Sequence, residues 1–418
     1  MDKYRISQNI KIILPPLVLC LLFPPIISII VLFYNFCKSR RKQIGILLSV
    51  FFVLFITYNT YSVDNTLRLW NAYDKYDETE WYLGDPLTNV LRLFLSMGIE
   101  CSFLFYFYIL CIYILWLSTL FNIQKKWNAY IILIFLFGMI LRNAVDLVYY
   151  TLSLTALLFL ITRKEIVAKD YLYIIPILYL LHPGILLIAI PSIILYYIIK
   201  RGNKTFYYSY LILLFLLFFS INKIEIPHTG ILLIDSMTES LTLYTDSENR
   251  WGMQEKDISG FGAFLKYYGM TIGYLILFYY TIKYKERINQ KHLLAIYQVA
   301  FIALLGLWNF VTITERNMVV LSLSCWPCLL LLIQSKSFSI NNPLRKYKTL
   351  AALACIIFIL NIYKITPIRL NKIFINQSYT SIQKRSYYIP SVLLFNIKEL
   401  GFSDTYVKQN STLKRFEK

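Results

Sequence analysis

The chain of 418 residues is 58% hydrophobic and 17% aromatic, with only 16% charged residues and a mean hydropathy of +0.56. This composition excludes a soluble protein with an ordinary core and indicates a polytopic membrane protein. The formal charge of +19 does not point to nucleic acid, because the basic residues punctuate apolar runs instead of forming a stripe beside stacking aromatics.

Twelve apolar segments, near 13–36, 44–61, 101–121, 128–141, 146–162, 171–182, 185–199, 206–222, 263–282, 293–311, 318–334 and 349–363, predict an all-α polytopic membrane protein. They make residues 1–364 one membrane domain. The first segment follows Lys3, Arg5 and Lys11 and contains Pro15, Pro16, Pro24 and Pro25, which bend a helix. A basic start before an apolar run also suits a signal sequence, but without a small-residue cleavage site an uncleaved helix is expected. Turns at 37–43, 122–127, 163–170, 200–205, 283–292 and 335–348 each carry two to four Lys or Arg. Short basic turns decide orientation. They place these turns inside and both chain ends outside.

The first large outer loop, 62–100, sets Asp64, Asp74, Asp77, Glu78, Glu80 and Asp85 among Trp70, Tyr73, Tyr76, Trp81 and Tyr82. Rings beside carboxylates suit sugars, whose C–H faces stack and whose hydroxyls bond to acids; an interfacial aromatic belt is the other reading. Leu87, Val90, Leu91, Phe94 and Leu95 follow helical spacing with Arg92 on another face. A short helix lying on the outer surface is expected there.

Residues 127–200 form two apolar hairpins with one polar tip each, Arg142 in Leu141-Arg142-Asn143 and His182 in Leu181-His182-Pro183-Gly184. A helix rises about 1.5 Å per residue and a bilayer core is about 30 Å thick, so arms this short leave both tips below the membrane surface. Ionisable groups at that depth are functional candidates.

The second outer loop, 223–261, carries Glu225, His228, Asp235, Glu239, Arg250 and Asp257. Its two apolar stretches fit a lid hinged at Ser259-Gly260-Phe261-Gly262 or a merely solvated loop. Thr312-Ile-Thr-Glu315-Arg316-Asn317 then precedes the segment at 318–334. Cys325-Trp326-Pro327-Cys328 has redox spacing, but it lies in an apolar run without the strand-to-helix setting such chemistry needs. The tail, 365–418, is read as an extracytoplasmic amphipathic segment along the membrane face.

The order of an arginine opening one helix, a basic turn, and a histidine beside Pro-Gly resembles the EpsG and Wzy-type polysaccharide polymerases. Asp64-x-x-x-Arg68, Asp85-Pro86-Leu87 and Glu315-Arg316-Asn317 extend the resemblance. It implies a GT-C-like fold in a bacterial inner membrane, with the site facing the periplasm or cell exterior. The reaction implied moves a growing O-antigen or capsular glycan from undecaprenyl pyrophosphate to a lipid-linked repeat unit. Membrane lipids, a chain-length regulator and a flippase would be partners, with no nucleic acid.

Within that reading Arg142, Arg316 and His182 are the catalytic candidates, and Asp64, Arg68, Asp85 and Arg250 the substrate contacts. Guanidinium makes bidentate bonds to phosphate, which suits Arg142 and Arg316 to a lipid pyrophosphate. Each also has a local alternative: Arg142 pairing with Asp146 four residues on, and Arg316 snorkelling beside Glu315. His182 fits either a general base or a donor to sugar or phosphate, or a helix-end residue bonded to a carbonyl. Asp64 and Arg68 suit each other as well as a substrate. Arginines that take the leaving-group charge need no metal or other cofactor. A lipid-linked oligosaccharide flippase or an O-antigen ligase is the alternative; a flippase predicts repeated halves, and no repeat is visible.

Overall fold

The computed structural model describes residues 13–39, 41–59, 86–99, 102–123, 147–163, 166–220, 235 and 264–334. The expected segments at 128–141 and 349–363, most of both large loops and the tail lie outside these residues. The described chain is nearly all helical. Its helices are α1 (Ile13–Leu22), α2 (Pro25–Ser39), α3 (Lys42–Asn59), α4 (Pro86–Ser96), α5 (Ser102–Ile123) and α6 (Val148–Arg163). They continue as α7 (Tyr171–Leu181), α8 (Leu186–Arg201), α9 (Lys204–Ser220), α10 (Met270–Lys283), α11 (Lys291–Gly306) and α12 (Val311–Gln334). Among the described residues, three stretches are long and apolar enough to cross a membrane: Tyr106–Ile123, Pro183–Arg201 and Ile313–Leu332. By rise per residue, the 11-residue α7 is only about 16 Å long.

The expected segment at 13–36 is two helices, and the reason is Pro24. Its ring nitrogen has no hydrogen to give the carbonyl of Cys20. Ser28 Oγ takes over that role, donating to Cys20 O at 2.8 Å. The stretch Thr312–Asn317, left between the expected segments at 293–311 and 318–334, is instead the first part of α12. Thr314 Oγ1 donates to Leu307 O at 2.9 Å, and Phe310 N–H to Leu307 O at 3.1 Å. Helix α12 therefore starts almost as soon as α11 ends.

Helix α11 is the centre of the packing, against α8, α9 and α12. Residues 292–304 are all buried, as a helix apolar on every side requires. At Gly306 an added Cβ would lie 2.6 Å from Phe218 Cβ and 3.2 Å from Phe219 N, so only glycine lets α11 approach the α9 backbone. The one strongly polar side chain in the middle of α11 is bonded on both sides. Gln298 Oε1 accepts from Tyr207 of α9 at 3.0 Å, and its Nε2 donates to Thr281 of α10 at 3.3 Å. A second unit joins α3, α5 and α6, with Phe52 stacked on Tyr113 at 5.0 Å and Tyr108 edge-on to Tyr149 at 5.7 Å.

Candidate functional site

His182 ends α7 and begins the next helix. Its N–H donates to Leu178 O at 2.8 Å, closing α7, and its ring Nδ1 accepts from Gly184 N–H at 3.1 Å, capping the turn of Pro183–Ile185 that runs into α8. Pro183 explains why the chain turns there: it cannot extend α7, yet it suits the first position of a new helix. Ser153 Oγ reaches Leu178 O at 3.4 Å and fixes α7 against α6. The same packing brings the Tyr150 ring edge-on to His182, with centroids 5.2 Å apart and planes at 83°.

Arg316 arrives from α12, close enough for its charge to act on the Tyr150 hydroxyl. The Glu315 carboxylate, one residue earlier on the same helix, accepts from Tyr267 OH at 3.0 Å. Tyr267 and Tyr268 also pack against Trp308, at 6.4 and 5.8 Å between centroids. Asn317 is 3% exposed, and its Nδ2 has no hydrogen-bond partner. Two of the residues expected in the site, His182 and Arg316, therefore share one end of the bundle, with Tyr150 at the His182 ring and within range of the Arg316 charge. Arg142, Asp64, Arg68, Asp85 and Arg250 lie outside the described residues.

Helix α4 exists where the apolar spacing places it, but it is turned differently. Arg92 is 8% exposed and Asn89 6%, with Arg92 Nη1 donating to Asn89 Oδ1 at 3.5 Å. Leu93 and Met97 face out instead. Its arginine is buried on the side of the protein, where α4 meets α7.

The opposite end of the bundle has its own cluster, which the sequence reading passed over. His292 stacks on Tyr196 at 3.3 Å with planes at 14°, and Tyr171 OH lies 3.2 Å from its Nε2. Nearby, Lys285 is 9% exposed, its Nζ 3.4 Å over the Tyr207 ring and without a hydrogen-bond partner. Burial pushes this ammonium below its usual pKa, Glu286 opposes the shift and Lys204 reinforces it. Cys325 and Cys328 are buried free thiols in α12, with Cys328 Sγ near Leu293 O at 3.9 Å. Among the described residues, no three His, Cys, Asp or Glu side chains gather to hold a metal.

Fold and composition define the class: a nearly all-helical protein with membrane-type helices. No protein-family model, curated protein or solved structure matches the chain. Tyr150, Tyr267, Asn317 and Arg92 were not singled out as site residues by sequence. Tyrosines at an apolar helix start read as interfacial anchors, and Asn317 carries a signal only through its place beside Glu315-Arg316.

Proposed function

We propose that the chain is a membrane glycosyltransferase that polymerises a surface polysaccharide, either O-antigen or capsule. The supporting observation is the convergence of His182, Tyr150 and Arg316 at one end of an apolar bundle. A terminal sugar hydroxyl of a lipid-linked repeat unit attacks the anomeric carbon of a glycan held on undecaprenyl pyrophosphate. The new bond joins that oxygen to the anomeric carbon, the bond from anomeric carbon to phosphate oxygen breaks, and the hydroxyl proton ends on the released pyrophosphate. Charge grows on the leaving group, so a fixed guanidinium stabilises the transition state more than the ground state. Arg316 takes this role together with Arg142, and Asp64, Arg68, Asp85 and Arg250 hold the sugars.

The same reading sets the protein in a bacterial inner membrane with this end outward, alongside a flippase and a chain-length regulator. Glycan length in a deletion strain tests it. Loss of a polymerase leaves single repeat units attached at the surface, whereas loss of a flippase or ligase leaves none attached. Long chains in the deletion strain, or no attached units, would each overturn the assignment.

A further inference from the structure

We infer that the start of α9, together with Lys285, binds the phosphate of an anionic phospholipid whose acyl chain lies along the outward stripe of that helix. The inference needs only the membrane setting and not the polymerase reading.

The first turn of α9 is open to an anion. Asn203 caps it, its Oδ1 accepting from Phe206 N–H at 3.1 Å and its carbonyl from Tyr207 N–H at 3.1 Å. The N–H groups of Lys204 and Thr205 have no acceptor within the helix and point out of its end, where an anion is favoured. Both residues are exposed, so a phosphate can approach them.

A helix end alone is commonplace, and Lys285 distinguishes this one. It comes from the link between α10 and α11 and is 9% exposed. Its Nζ lies 3.4 Å from the centre of the Tyr207 ring and 4.9 Å from that of Tyr208, and it has no hydrogen-bond partner. Ring faces attract a cation but leave the three N–H donors of an ammonium unused. The Tyr207 ring is itself fixed, since its hydroxyl donates to Gln298 of α11. The Lys204 charge acts on Lys285, and exposed Glu286 acts on it in the opposite sense. Two ammonium groups and the positive end of a helix against one carboxylate leave the patch positive. A phosphate seated on the Lys204 and Thr205 N–H groups offsets that charge and offers the Lys285 ammonium an acceptor.

The apolar face below the patch tells a lipid phosphate from a free one. Tyr208, Ile212, Leu216 and Phe219 follow one another at helical spacing, and all four are exposed. By rise per residue this stripe is about 16 Å long, close to half of a bilayer core about 30 Å thick. A phosphate at the start of α9 therefore has one leaflet's depth of apolar surface beneath it. Basic pockets between membrane helices hold anionic headgroups in the same way.

The test uses the purified full-length protein in detergent, titrated with phosphatidylglycerol or phosphatidylcholine and followed by native mass spectrometry and thermal unfolding. Phosphatidylglycerol should bind more tightly and raise the unfolding midpoint; equal effects of the two lipids overturn the inference. Lys204 carries the test because it is exposed and its loss leaves the packing in place. Lys204→Gln should weaken phosphatidylglycerol about fivefold, the factor for one basic residue near an anionic surface. Lys38→Gln removes an exposed charge from another basic turn, on α2, which packs against α3, and should leave binding as it is. Equal loss in the two variants would show a diffuse basic surface and overturn the site. Inorganic phosphate alone should not reproduce the rise in midpoint. If it does, the ligand is a free anion and the lipid assignment falls.

Discussion

Arg316 sits five residues into α12, so its backbone is held by helical hydrogen bonds and not by a loose connection. Its fork is therefore presented from a rigid base. Lysine keeps the charge but not the two parallel donors. Arg316→Ala should lower polymer output about 100-fold, the usual loss for one donor to a developing anion, and Arg316→Lys should fall between it and wild type. Glycan length on gels at matched protein level checks this, and normal chains from the alanine variant would remove Arg316 from the site. At this scale the sequence was legible where chemistry is rare: a histidine before Pro-Gly and an arginine in an apolar setting stand out on composition alone. Tyr150 did not stand out, because the chain holds 35 tyrosines and their neighbours are set by packing that no local pattern records.

Individual helices followed the apolar runs, and their breaks followed the residues that interrupt hydrogen bonding. Pro24 is such a break, and Ser28 answers it. Ser28→Ala should cost about 1 kcal/mol, the usual net value of a buried hydrogen bond. With Pro24→Ala already present, the same change should cost little, since the restored N–H can reach Cys20 O. Thermal unfolding of the two single variants and the double variant in detergent tests the coupling; strictly additive losses would refute it. Gly306 makes a different demand. Gly306→Ala should destabilise by about 1–3 kcal/mol, because α9 backbone leaves no room for the methyl, and an unchanged midpoint would show that the two helices can part. The direction in which α4 turns was not legible. Its apolar spacing fixed a helix, but whether Arg92 or Leu93 faces the protein depends on what lies on either side, and that is a tertiary fact.

Across the whole molecule the chemistry is divided between two ends: His182, Tyr150 and Arg316 at one, Lys285 and His292 at the other. Reporter fusions at Arg201 and Lys285 should report the cytoplasm, and fusions at positions 75 and 240 the exterior. A cytoplasmic signal at 240 would place the second acidic loop on the wrong side for the proposed reaction. Lys285 makes the basic end sensitive to pH. Its folded pKa lies below the ordinary 10.5, so between those two values the unfolded chain binds more protons and stability rises with pH. Lys285→Met should flatten that rise in thermal unfolding measured between neutral pH and the lysine range. An identical slope in wild type and variant would contradict the burial cost.

Helix α11 has a further consequence for how the protein is made. Gln298 is fully buried at its centre and satisfied by Tyr207 and Thr281. Both partners precede it in the chain, so during synthesis α9 and α10 leave the ribosome before α11. A glutamine that reached the lipid before its partners would face hydrocarbon with its amide unsatisfied, at a cost of several kcal/mol. Chain order spares it that interval. Moving α11 ahead of α9 and α10 by circular permutation would keep every contact of the finished molecule and remove this protection during its biogenesis.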